Sequence, residues 1–126
     1  MSKVNLEVGN SGEAIAVDLL QKNGYRIIAR NFRTKFGEID IIASEADTIC
    51  FVEVKARKSF RFGLPEEAVT KFKQKHAARA ALLFLKTHNL LNKKARFDVI
   101  SIFFDKEKTE SKLIKNAFTL EESYTY

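Results

Sequence analysis

Asp40, Glu53 and Lys55 stand where charge is costly, inside two almost unbroken apolar runs, Ile39-Asp40-Ile41-Ile42 and Phe51-Val52-Glu53-Val54-Lys55. Runs of this kind belong to strands covered on both faces. A charge within one must be paired, metal-bound or at a strand end that opens to solvent. Side-chain alternation puts Glu53 and Lys55 on the same face of one strand. The short polar link Glu45-Ala46-Asp47 between the runs predicts an antiparallel hairpin. With Glu45 to Thr48 as a four-residue loop, Ser44 faces Ile49, Asp40 faces Glu53 and Glu38 faces Lys55. Directly opposed Cβ atoms lie about 4.5–5.5 Å apart, where like charges repel. Two carboxylates so placed need a cation between them. Lys55 supplies part of that charge, and a divalent metal with hard oxygen ligands supplies it better.

An ion-pair ladder, Glu38 and Asp40 with Lys55, would explain the same residues on a wet sheet face. It fits poorly beside Ile42, Ile49 and Phe51, which share the predicted face, so a functional site is the favoured reading. A divalent ion held there would acidify a bound water and polarise an oxygen that it touches. Lys55 beside two carboxylates is expected to keep its proton, which suits electrostatic positioning better than general-base work.

The arrangement Glu13, then Gly37-Glu38-Ile39-Asp40, then Glu53-Val54-Lys55 resembles the PD-(D/E)xK nuclease superfamily, with Ile39 where the superfamily name has Pro. More closely, five pieces resemble the YraN family: Gly12-Glu13, Arg30-Asn31-Phe32-Arg33, Gly37 to Ala43, Phe51 to Lys55, and Arg96-Phe97-Asp98-Val99. That group is similar in plan to the archaeal Holliday junction resolvases, and the similarity covers about residues 9–118. The resemblance implies a restriction-endonuclease-like fold and a metal-dependent DNA nuclease, with branched DNA as one candidate substrate. It implies that Asp40 and Glu53 are ligands of Mg²⁺ or Mn²⁺ and that Lys55 orients the attacking water. It further implies that Glu13 reaches the metal directly or through water, and that Gln74 lies near the site.

Several of these residues have a second reading. Glu13 follows Asn10 by three positions, so a capping box opening a helix explains it as well as a ligand role does. Gln74 is equally a solvated helix residue. His76 reads as a packed core histidine, and His88 suits the negative pole of a helix end. Asp98 could simply pair with a nearby cation, and Cys50 alternates away from Glu53 as a buried small apolar residue. Two distant histidines and one cysteine make a zinc site a poor fit. The loop Arg57 to Gly63 interleaves basic residues with Phe60 and Phe62, which could hold phosphates and stack on a base, or cover the core edge. Arg57, Lys58, Arg61, Lys71 and Lys75 are the candidate phosphate contacts.

The elements that must carry these residues follow from periodicity. A helix from Asn10 to a stop at Gly24 precedes strands over Tyr25–Phe32, Glu38–Ser44 and Thr48–Arg57. Pro65, with Glu66 and Glu67, marks a second helix running to His88, with Val69, Phe72, His76, Ala80 and Leu83 along one face. Strands over Arg96–Asp105 and Lys112–Phe118 complete an α/β fold: a mixed five-stranded sheet flanked by helices. The 126 residues suit one domain with its core at about 9–118.

Charge points the same way. The chain has 22 Lys+Arg against 16 Asp+Glu, a net charge of +6. Twelve basic residues and two acidic ones lie between Lys55 and Arg96, which leaves the remainder net acidic. Such a block fits a solvated helix face or a polyanion partner, most often nucleic acid; the resemblance implies DNA and leaves RNA open. The longest apolar stretch, Ala77 to Leu85, is too short to span a bilayer, and Met1 to Gly12 lacks the apolar region of a signal peptide. A cytoplasmic protein with no membrane partner is expected, and a homodimer would suit the cutting of paired strands. Two rival readings remain: a nucleic-acid-binding protein that keeps the nuclease fold without turnover, and a protein-interaction domain with a structural ion-pair ladder.

Overall fold

The computed structural model describes residues 3–58, 70–105 and 108–118, with side chains from Ser11 onward. In chain order it contains α1 (Lys3–Lys22), β1 (Arg26–Thr34), β2 (Gly37–Glu45), β3 (Thr48–Arg57), α2 (Lys71–Thr87), β4 (Lys94–Phe104) and β5 (Thr109–Phe118). The strands form one sheet in sequence order, antiparallel throughout except for the parallel pair β3–β4 that α2 connects. This is an α/β fold with a mixed five-stranded sheet, consistent with a restriction-endonuclease-like plan.

The helices cover opposite faces. Ala16 and Leu20 of α1 pack with Tyr25, Ile41, Ala43, Cys50, Val52, Ile100 and Ile102. On the other side, Ala78, Ala81, Phe84 and Leu85 of α2 pack with Ile39, Ile42, Ile49, Phe51 and Phe97. Both faces of β2 and β3 are therefore dry, as their continuous apolar runs predict. Gly24 ends α1 as expected. With φ at 84°, it lets its own N–H reach Gln21 O and the Tyr25 N–H reach Leu20 O. Gly12 has a different role: a Cβ there would sit 2.9 Å from Ala56 Cβ, so its absence lets α1 lie directly on β3 beside Lys55.

Two helix starts differ from the sequence reading. α1 already runs from Lys3, so Asn10 is not its N-cap and Glu13 lies mid-helix. α2 begins at Lys71, because Thr70 is extended (φ −72°, ψ 164°) and its hydroxyl accepts from the Lys73 N–H. Pro65, Glu66, Glu67 and Val69 lie outside the described residues. The apolar face also differs: Phe72 is 71% exposed, and the buried face is Ala78, Ala80, Ala81, Phe84 and Leu85. Among the described residues, no helix is long and apolar enough to cross a membrane.

Candidate active site

The β2–β3 hairpin has the register expected from its loop: Ser44 opposite Ile49, Ile42 opposite Phe51, Ile41 opposite Val52. The main-chain pairing ends there. One step further, the Val54 N–H donates to Asp40 Oδ2 (2.8 Å), so a carboxylate takes the place of a ladder carbonyl. This turns Asp40 toward Glu53, and the two carboxyl groups hydrogen-bond to each other. Burial, and then the charge of Glu53, push the Asp40 carboxyl up to about 7. A carboxyl raised in this way is what the expected opposition of two acids produces.

Lys55 Nζ lies 3.0 Å from Glu53 Oε1, on the same face of β3. Burial is the largest single influence and works to lower the Lys55 ammonium, but the charges of Glu53 and Asp40 and the contacts with Glu53 and Lys73 together outweigh it, and the net shift is upward. Of the ion-pair ladder, the rung from Glu38 to Lys55 is replaced: Glu38 pairs with Arg33 Nε (3.4 Å) at the border of the same recess, while the Asp40 charge still acts on Lys55.

Lys73, which the sequence reading passed over, reaches the site from α2. It lies within hydrogen-bonding distance of Lys55, and that contact lowers its own ammonium below the usual range. Three lysines alternate at 71, 73 and 75, and only the packing of α2 over the sheet selects one of them. Gln74 is half-buried on the same turn. Arg57 follows Lys55 by two positions on β3, and its charge also reaches Lys73. Its Nε is buried without a hydrogen bond among the described residues. Lys58 and Lys71 are exposed and Lys75 is half-buried, whereas Arg61, Phe60 and Phe62 lie outside the described residues. Two carboxylates are thus bordered by Lys55, Lys73 and Arg57.

Glu13 is held elsewhere. It accepts from Arg30 Nε (3.0 Å) and Asn31 Nδ2 (3.1 Å). Asn31 has φ at 53°, a left-handed conformation that asparagine tolerates, and it interrupts the pleat of β1 where both side chains turn to α1. Among the described residues, no three of His, Cys, Asp and Glu gather as metal ligands, so Glu13 does not join the pair.

The remaining polar residues belong to structure. Asp98 is fully buried and accepts from Tyr25 Oη (2.7 Å), Arg96 Nε (3.0 Å) and the Asn116 N–H (2.8 Å). Arg96 also meets Glu45 (2.6 Å), which binds Lys115 (2.6 Å). Cys50 is buried and, mainly through burial, its thiol is pushed up to about 12. His76 is half-buried, with Nδ1 against Phe36 O, and His88 caps the end of α2 with Nδ1 on Phe84 O (2.9 Å).

The description "Uncharacterised protein family UPF0102" fits residues 12–102, which run from within α1 to within β4 and include Asp40, Glu53, Lys55 and Lys73. The chain belongs to the UPF0102 family. This is the YraN group that the sequence motifs resemble. A UPF0102 protein of Caldicellulosiruptor saccharolyticus is 51% identical over 114 residues, 89% of this chain and 97% of its own. One from Geobacter metallireducens is 48% identical over 120 residues, 95% of this chain and 98% of its own. One from Syntrophomonas wolfei is 45% identical over 115 residues, 91% of this chain and the whole of its own. UPF0102 membership names a family and not a reaction, so chemistry must be argued from the site.

Proposed function

We propose that this UPF0102 protein hydrolyses phosphodiester bonds in DNA with a divalent ion held by Asp40 and Glu53. The observation that carries the reading is the pairing of these carboxyls, with Asp40 held by the Val54 N–H, Glu53 3.0 Å from Lys55 Nζ, and Lys73 and Arg57 close by. Paired acids that destabilise each other without a cation fit Mg²⁺ or Mn²⁺. Two protein carboxylates are enough, because Mg²⁺ retains several waters and takes further oxygens from a phosphate. When bound, the ion contributes Lewis acidity toward the phosphoryl oxygen and acidifies water.

The chain's own residues do the rest. Asp40 must release its proton to act as a ligand, and its main-chain bond to Val54 fixes where the carboxylate points. Lys55 stays charged and, as Glu53 engages the ion, is available to a phosphate oxygen that gains charge in the transition state. Lys73 offers a second cation from the opposite element. Arg57, Lys58, Lys71 and Lys75 extend positive charge from the site along β3 and α2.

The second reading, a DNA-binding protein without turnover, draws on one observation: Glu13 is engaged with Arg30 and Asn31 instead of the carboxylate pair. Cleavage of labelled linear, flapped and four-way DNA, and of RNA, with Mg²⁺ or Mn²⁺ separates the two. Asp40→Asn is expected to slow metal-dependent cleavage by about a hundredfold or more while the fold persists. Salt-dependent binding with no cleavage by the wild type would favour the second reading.

A further inference from the structure

Phe72 is out of place for a helix residue that packs nothing. It sits in the first turn of α2 between Lys71 and Lys73, 71% exposed, with its ring against the His76 imidazole at a centroid distance of 4.3 Å. His76 is itself fixed by the contact of Nδ1 with Phe36 O. Beneath the two rings lies a cavity of about 180 Å³ between α2 and the sheet. Its floor is aromatic and aliphatic, formed by Phe51, Phe97, Phe118 and Ile39, and its border includes Glu53 and Lys73. The apolar slot therefore shares Glu53 with the carboxylate pair and Lys73 with the cations beside it, and the two form one continuous surface.

That continuity restricts what fits. An apolar peptide would gain from the floor but would bring no negative charge to Lys55, Arg57 and Lys73, which crowd together beside the single pair Asp40 and Glu53. A nucleotide satisfies both halves: its phosphate suits the cations, and its base presents a flat face to aromatic rings. A base inside a duplex is stacked on its neighbours and cannot enter a recess, whereas an unpaired or displaced base can. We infer that the slot under Phe72 and His76 receives the unstacked base next to a phosphate that meets Lys55 and Lys73 beside Asp40 and Glu53, making DNA with unpaired nucleotides the preferred ligand. The position of the phosphate rests on the nuclease reading; the stacking on Phe72 does not.

The test uses the full chain as wild type, Phe72→Ala and Phe72→Trp, with labelled single-stranded, flapped and blunt duplex DNA, without divalent metal. Because Phe72 is exposed, its truncation leaves no hole in the core. Phe72→Ala is expected to weaken single-strand and flap binding about tenfold, with duplex binding changed less than about twofold, and Phe72→Trp to restore it. A 2-aminopurine in the single strand should lose fluorescence on binding to the wild type and not on binding to Phe72→Ala. Equal losses on all three DNAs, or no loss on any, would overturn the inference. So would a Phe72→Ala protein that binds DNA normally but changes its oligomeric mass, which would assign the ring to a second copy of the chain. Cleavage measured in parallel keeps the two claims apart. Cutting without Phe72 dependence removes the slot and leaves the enzyme; Phe72-dependent binding without cutting removes the enzyme and leaves the slot.

Discussion

Asp40 links folding, protons and metal through one carboxyl group. Its value rises from 3.8 to about 7, first through burial and then through Glu53. The folded state is therefore the better proton binder. Metal-free protein gains most stability below the unfolded value and loses that gain as pH climbs through about 7. Melting temperatures without metal are expected to fall between about pH 5 and pH 8, and Asp40→Asn is expected to flatten that slope. Metal binding has the opposite sign, because the ligand must be ionised: Mn²⁺ affinity should rise by up to about tenfold per pH unit until about pH 7. Calorimetric titration at several pH values checks this. Asp40 and Glu53 were legible in the sequence because a charge inside a doubly covered strand needs a reason. Lys73 was not legible, since lysines at 71, 73 and 75 look alike until α2 is seen to bring one of them to Lys55. Glu13 was read as a cap or a ligand. Its partners Arg30 and Asn31 depend on an interruption of β1 that no local pattern announces.

At the scale of elements, the hairpin register followed from loop length alone, and that register is what brings the acids together. The start of α2 did not follow, because Pro65 offers a stronger local signal than Thr70, whose hydroxyl caps the helix. Close approach of α1 to β3 depends on Gly12, where a methyl would meet Ala56 Cβ at 2.9 Å. Gly12→Ala is expected to cost about 1–3 kcal/mol of stability, measured by urea denaturation, and to lower activity by displacing the strand that carries Lys55. The Asp98 network holds β4 to β5 through the Asn116 N–H and to the end of α1 through Tyr25. Asp98→Ala leaves Arg96 short of a buried partner and should destabilise the fold by about 3–5 kcal/mol, without removing Asp40, Glu53, Lys55 or Lys73. If Asp98→Ala melts like the wild type, the network does not anchor the sheet.

Across the whole molecule, part of the positive block between Lys55 and Arg96 gathers at the carboxylate pair, Lys55 and Arg57 from β3 and Lys73 from α2, whereas Lys94 and Arg96 lie further along β4, beside Thr48 and Cys50 of β3. DNA affinity should accordingly fall steeply with salt. Lys58→Ala, at an exposed position, is expected to reduce the slope of log affinity against log salt by about one. Charge alone cannot separate a nuclease from a binding protein, because both need the same cations. The separating measurement is binding and cleavage of the same labelled four-way DNA by the wild type and Glu53→Gln, side by side with Mg²⁺ and with Mn²⁺. The wild type should bind and cut, whereas Glu53→Gln should bind comparably and leave the DNA intact. Equal cutting by Glu53→Gln, or binding without cutting by the wild type in both metals, would contradict a metal-dependent centre at Asp40 and Glu53.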